Sequence, residues 1–106
     1  MIDREFFLGL IKVHILYHAA REPISGVELS EELGRHGYSL SPGTLYPTLH
    51  RLERDGYLRR EARVVGGKMR KYYTATIEGK KVLREASKRI KEFIEEVLFD
   101  NPKNKK

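Results

Sequence analysis

A mainly α-helical fold with one small antiparallel β-hairpin is the class this chain predicts. Three observations point there. Apolar residues recur at helical spacing in four separate segments. Gly66-Gly67 is a two-residue turn signal between two extended segments. The chain has 106 residues, 40% of them apolar and 34% charged, so it should fold as one domain around one modest core.

The first helix is expected over Asp3 to Ala20. Phe6, Phe7, Leu10, Ile11, Val13, His14, Ile15 and Leu16 make it apolar over much of its circumference. Such a helix needs cover on more than one side, and a second subunit could supply part of it. Arg21-Glu22-Pro23 ends it. The second helix opens with Ser25 and Glu28, the spacing of a capping box, with Ile24 and Leu29 at the staple positions. Leu29 and Leu33 then point inward, while Glu28, Glu31 and Glu32 point out. Gly34 and Gly37 bracket its end. Tyr38-Ser39-Leu40 is long enough only for a stub of strand.

The segment Ser41 to Leu58, SPGTLYPTLHRLERDGYL, is the most informative. Ser41 is suited to cap a helix and Pro42 to its first position. Leu45, Leu49 and Leu52 fall at i, i+4 and i+7 and form one apolar stripe. The opposite side carries Gly43, Pro47, His50 and Arg54, with Thr44, Tyr46 and Arg51 on its shoulders. Gly56 stands where helices commonly end. Leucines behind and small, aromatic and cationic groups in front suit insertion into a DNA groove. An ordinary amphipathic helix with a solvated polar face fits the same pattern. Pro47 lies about six positions into this helix, where proline removes a hydrogen bond and tends to kink the chain.

The hairpin follows. Leu58, Arg60, Ala62 and Val64 share one side of its first strand, with Tyr57, Arg59, Glu61 and Arg63 on the other; Met69 to Ala75 returns. Arg59, Arg60, Arg63, Lys68, Arg70 and Lys71 stand against one acid, Glu61. The hairpin therefore holds +5 of the chain's net +6. Charge so concentrated points to a phosphate backbone as partner. Cations that block edge pairing are the plainer alternative.

Thr76 caps a fourth helix, expected to run to about Phe99. Leu83, Ala86, Ile90, Phe93, Ile94, Val97 and Leu98 recur at steps of three and four, close to a heptad stripe. A helix this long overhangs a three-helix core, so its second half is expected to pair with another chain. Folding back on the first helix is the alternative. Residues 100–106 read as a basic, disordered tail.

Other chemistry has little support in the residues. There is no cysteine, so there is no disulfide framework or thiolate site. The apolar run Phe6 to Ile11 is too short to span a bilayer, and the acidic start is unlike an export signal, so the cytoplasm is the default compartment. His14 and His18 are spaced i, i+4, which can hold a metal, but no nearby acid completes a site; buried or interface histidines are the preferred reading. Neither Glu28, Glu31 and Glu32 nor Glu95-Glu96 looks like an acid/base pair. No enzyme and no cofactor is expected.

The order helix, helix, strand stub, helix, hairpin describes a winged helix-turn-helix over residues 1–76, followed by a dimerisation helix over residues 77–99. GTLYPTLHRLERDGYL with RKYYTATIEGKKVL also resembles the PadR family of transcriptional regulators, over roughly Phe6 to Phe99. Gly43-Thr44-Leu45-Tyr46-Pro47, Arg51-Leu52-Glu53, Gly56-Tyr57-Leu58 and Lys71-Tyr72-Tyr73 carry the resemblance. It implies a homodimeric repressor on a palindromic operator in double-stranded DNA. The single short C-terminal helix is similar to the compact subgroup, some of whose members bind flat hydrophobic drugs between aromatic side chains at the dimer centre. No tryptophan is present for such a sandwich; Phe6, Phe7, Phe93 and Phe99 are candidates to substitute for it.

The expected DNA contacts are Ser41, Pro42, Gly43, Thr44, Tyr46, Pro47, His50, Arg51 and Arg54 on the third helix. On the wing they are Arg59, Arg63, Gly66, Gly67, Lys68, Arg70 and Lys71. The expected dimer contacts are Phe6, Phe7, Ile90, Phe93, Ile94, Val97 and Leu98. Release by a small hydrophobic or aromatic effector completes this reading. A winged-helix module that binds protein or RNA without a specific operator is the alternative.

Overall fold

The computed structural model describes residues 3–99. Its elements run α1 (Arg4–Arg21), β1 (Ile24–Ser25), α2 (Gly26–Arg35), α3 (Pro42–Arg54), β2 (Leu58–Val65), β3 (Lys68–Ala75) and α4 (Ile77–Val97). The basic tail expected over residues 100–106 lies outside the described residues.

Helix α2 starts as its sequence dictates. The Glu28 N–H donates to Ser25 Oγ at 3.1 Å, and the Ser25 N–H donates to Glu28 Oε1 at 2.9 Å. Two otherwise unpaired helix-start donors are satisfied reciprocally. The strand stub is not where it was expected. Residues 38–40 form no strand, while Ile24 pairs with Tyr73 and Ser25 with Tyr72. The sheet is antiparallel in the order β1-β3-β2. Two residues suffice because β3 has an open edge and the chain passes it on the way into α2. So short a pairing has no alternation to read in sequence.

Helix α3 ends in a Schellman turn. The Tyr57 N–H donates to the Leu52 carbonyl at 2.9 Å and the Gly56 N–H to the Glu53 carbonyl at 3.0 Å. Gly56 takes φ +86, a conformation that glycine adopts without a Cβ clash. The hairpin turn has positive φ at both Gly66 and Gly67, the type I′ signature.

The core draws on all three early helices and the base of the sheet. Ile11 and Ile15 of α1, Leu29 and Leu33 of α2, and Leu45, Leu49 and Leu52 of α3 are buried with Leu58 and Tyr73. Burying each aliphatic side chain contributes roughly 1.5–3 kcal/mol. Helix α4 adds only partly buried side chains, Val82 and Leu83. It docks by its first turn. The Thr76 hydroxyl donates to the Gly56 carbonyl at 2.6 Å and accepts from the Gly79 N–H at 3.0 Å.

The first half of α4 then packs along α1, and its second half, past Ile90, leaves the body. The molecule measures 57 × 31 × 21 Å along its principal axes. Phe93, Val97, Leu98 and Phe99 are 56%, 57%, 69% and 73% exposed, and Ile94 is exposed beside them. Ile90 is half-buried. On α1, Phe6 is exposed, whereas Phe7 is half-buried with its ring edge-on to Tyr38 at 5.4 Å.

Gly79 is the tightest point of that docking. A Cβ there would fall on the Tyr57 carbonyl oxygen, with the carbonyl carbon 3.0 Å away. Gly79→Ala should therefore lower stability by about 1–3 kcal/mol in urea unfolding, through overpacking against backbone. Gly34→Ala meets nothing within 4 Å and should stabilise by roughly 0.5–1 kcal/mol. Similar changes at the two positions would show that the α4 junction yields.

Candidate nucleic-acid interface

The leucine stripe decides which way α3 faces. With Leu45, Leu49 and Leu52 in the core, Gly43, Pro47, His50, Arg51 and Arg54 are all exposed. Thr48 joins the buried side, its hydroxyl donating to the Thr44 carbonyl at 2.8 Å. Pro47 sits inside a continuous helix. It offers no N–H to the Gly43 carbonyl, and this gap lies on the exposed side, where water can fill it.

The start of α3 departs from expectation. Ser41 is the N-cap by position, but its side chain caps no backbone N–H. Its hydroxyl instead lies 3.4 Å from Thr44 Oγ1. The N–H groups of Thr44 and Leu45 both donate to the Ser41 carbonyl at 3.0 Å, and Pro42 has none. Gly43 is left as the first-turn donor among the described residues. An anion at this end would meet one backbone N–H rather than a cluster.

Tyr46 is more engaged than its place on the helix shoulder implied. It is 37% exposed. Its ring lies so close to Gly26 that a Cβ there would come within 2.6–2.9 Å of its hydroxyl oxygen and ring carbons. The contact fixes α3 against the start of α2. Glycine has no helix-forming advantage, so its use at a helix start was the available signal for this close approach.

An open cleft of about 400 Å³ runs between the start of α2, the front of α3 and the hairpin. Val27, Tyr46, His50, Arg60, Lys71 and Tyr73 are among its lining residues. Arg60 was not among the expected contacts. Its Nε lies 3.6 Å from Glu53 Oε2, which ties the hairpin base to α3. Burial pushes the Tyr73 phenol above its ordinary value; nearby Arg60 opposes that, and the charges of Glu53 and Tyr46 add to it. The phenol therefore stays protonated near neutral pH.

The hairpin divides its charge between two faces. Arg60 and Ala62 pair with Tyr73 and Lys71, so Arg60 and Lys71 share the face that carries core residues Leu58 and Tyr73. Arg59, Arg63, Lys68 and Arg70 share the other. Arg63 stands directly across from Arg70, a like-charge pairing that costs stability unless an anion neutralises it. Glu61 partly offsets it, 3.4 Å from Arg63, which also lies over the Tyr72 ring. Arg54 lies 3.6 Å from Asp55. Among the described residues, no carboxylate is within ion-pair distance of Arg51, Arg59, Lys68, Arg70 or Lys71. Val64 and Met69, exposed and opposite one another, add an apolar patch near the tip beside Gly66-Gly67.

Comparison with known proteins places this geometry. The model of the transcriptional regulator PadR-like family matches residues 15–85. The chain is 52% identical over 95 residues to transcriptional regulator Rv3488 of Mycobacterium tuberculosis, covering 90% of this chain and 89% of that protein. A PadR family regulator from Eggerthella lenta superposes with TM-score 0.76 at 38% identity, over 88% of this chain and 82% of its own. Bacillus subtilis PadR, solved in complex with operator DNA, superposes with TM-score 0.62 at 30% identity, over 72% of this chain and 45% of that one. No helix among the described residues is long and apolar enough to cross a membrane. With its winged helix-turn-helix architecture and this degree of identity, the chain belongs to the PadR-like family of transcriptional regulators.

Proposed function

We propose that the protein is a homodimeric, sequence-specific DNA-binding repressor. The observation that carries the reading is the shared exposure of the α3 front and the hairpin cations, most of them without an acidic partner. A surface that keeps Arg63 opposite Arg70 at a cost to its own stability is matched to an anionic ligand. The Bacillus subtilis relative, bound to operator DNA, supports the choice of duplex DNA over other polyanions.

In this reading α3 enters the major groove. Arg51, His50 and Arg54 reach base edges or phosphates, and Tyr46 braces the helix from Gly26. The wing lies on the backbone beside it, where Arg59, Arg63, Lys68, Arg70 and Lys71 bind phosphate and add affinity without sequence preference. Residues 1–76 form the DNA-binding part, and residues 77–99 the pairing helix. Phe93, Ile94, Val97 and Leu98 of two copies cover one another, with Ile90 and the exposed Phe6 at the border. Two α3 helices then meet successive major grooves about one DNA turn apart, on a palindromic operator. Occupancy blocks transcription. A small hydrophobic effector seated among the aromatics of the dimer centre would release the operator if it binds the unbound geometry more tightly.

Three measurements test the reading. Arg51→Ala should weaken binding to the DNA upstream of the protein's own gene by about 1–3 kcal/mol more than binding to random duplex. Equal losses on both would reassign this side chain to phosphate. Lys68→Ala with Arg70→Ala should weaken both DNAs alike and reduce the slope of log affinity against log salt by about 2. An unchanged slope would remove the wing from the interface. Phe93→Asp with Val97→Asp alters only exposed side chains, so the chain should stay folded and sediment as a monomer. A surviving dimer would rule out α4 as the pairing element.

A further inference from the structure

Three of the chain's four histidines converge at one place. His14 and His18 lie one turn apart on α1, and His36 follows α2. One ring nitrogen from each falls within 4.8 Å of the others. The His14 and His36 ring centroids are 4.9 Å apart, and those of His18 and His36 are 6.2 Å apart.

Stacking alone does not account for the cluster. His18 Nε2 is buried and has no hydrogen-bond partner. Buried polar atoms are rarely left unpaired, because desolvation without a partner is unfavourable. No competing hydrogen bond occupies this nitrogen, so in the tautomer that leaves it unprotonated its lone pair is available to a cation. Burial, reinforced by His36 and His18, holds His14 below the ordinary imidazole value. Burial does the same for His18, with Glu32 opposing it and His36 and Arg21 assisting.

We propose that His14, His18 and His36 form a binding site for a zinc-class transition-metal dication. Imidazole donors suit zinc, cobalt, nickel and copper. Metal–nitrogen bonds of about 2.0–2.1 Å set tetrahedral nitrogen separations of about 3.3 Å. Closing from 4.8 Å needs side-chain rotation, and His36, exposed on a turn next to Gly37 at φ +87, has room for it. Glu32 lies near His18 and binds Arg35 through one oxygen at 2.6 Å, so the fourth position falls to its carboxylate or to water. A bound ion would clamp the α2–α3 turn onto α1. The site does not rest on the DNA-binding reading, and its test reads metal alone.

The experiment is a Co²⁺ titration of untagged, metal-free protein followed by visible absorption, then displacement by Zn²⁺. The expected result is one ion per chain, a tetrahedral cobalt spectrum that zinc abolishes, and a higher melting temperature with zinc. His36→Ala removes an exposed side chain and should keep the fold by circular dichroism. It should weaken cobalt binding by more than about tenfold and remove the zinc-dependent stabilisation. Wild-type protein that binds less than half an equivalent, or a folded His36→Ala protein that binds as tightly as wild type, overturns the site.

Discussion

Burial of the α3 leucine stripe is the constraint on which the rest of the molecule depends. Leu45, Leu49 and Leu52 lock one side of the helix into the core with Ile11, Ile15, Leu29 and Leu33. Every polar and cationic residue on the other side is then presented outward by geometry alone. Arg51 and Arg54 need no contact of their own to stay exposed. The position of the face is inherited from packing, and its chemistry is left free for a ligand.

Two close approaches of backbone refine that arrangement. Tyr46 lies over Gly26, so the beginning of α2 is packed tightly against the front of α3. The Gly56–Tyr57 exit of α3 accepts the Thr76 hydroxyl and crowds Gly79, so the start of α4 is held by the end of α3. A change in α4 direction in a dimer therefore has a short mechanical route to α3, through one threonine and two peptide groups. This is a physical basis for the proposed coupling between a dimer-centre effector and operator release. The histidine cluster offers a separate hold on the same body, from the α1 side.

The electrostatics follow from the hairpin's shape. Its long strands leave the core after Leu58 and Tyr73, so residues 59–71 are all exposed. Water screens the repulsion between Arg63 and Arg70, and that keeps the cost small enough for the isolated chain to fold. Duplex phosphates would replace the water with opposite charge. The surplus cations are thus a modest liability alone and a source of affinity in the proposed complex.

Much of this was written in local sequence. The Ser25–Glu28 capping box, the leucine stripe, the Gly56 exit, the type I′ glycine pair and the Thr76 cap are short-range patterns, each set by a few residues' hydrogen bonding or periodicity. Helix order and family membership followed from them. Tertiary structure alone decided what depends on residues distant in the chain. Strand β1 forms because β3 offers an edge to Ile24 and Ser25, which no local alternation marks. Arg60 leaves the pool of unpaired wing cations because Glu53 reaches it from α3. His36 stands twenty-two and eighteen residues from His14 and His18, and only the packing of α2 on α1 brings the three rings together. Local free energies are legible residue by residue, whereas contacts across the fold exist only once the core has closed.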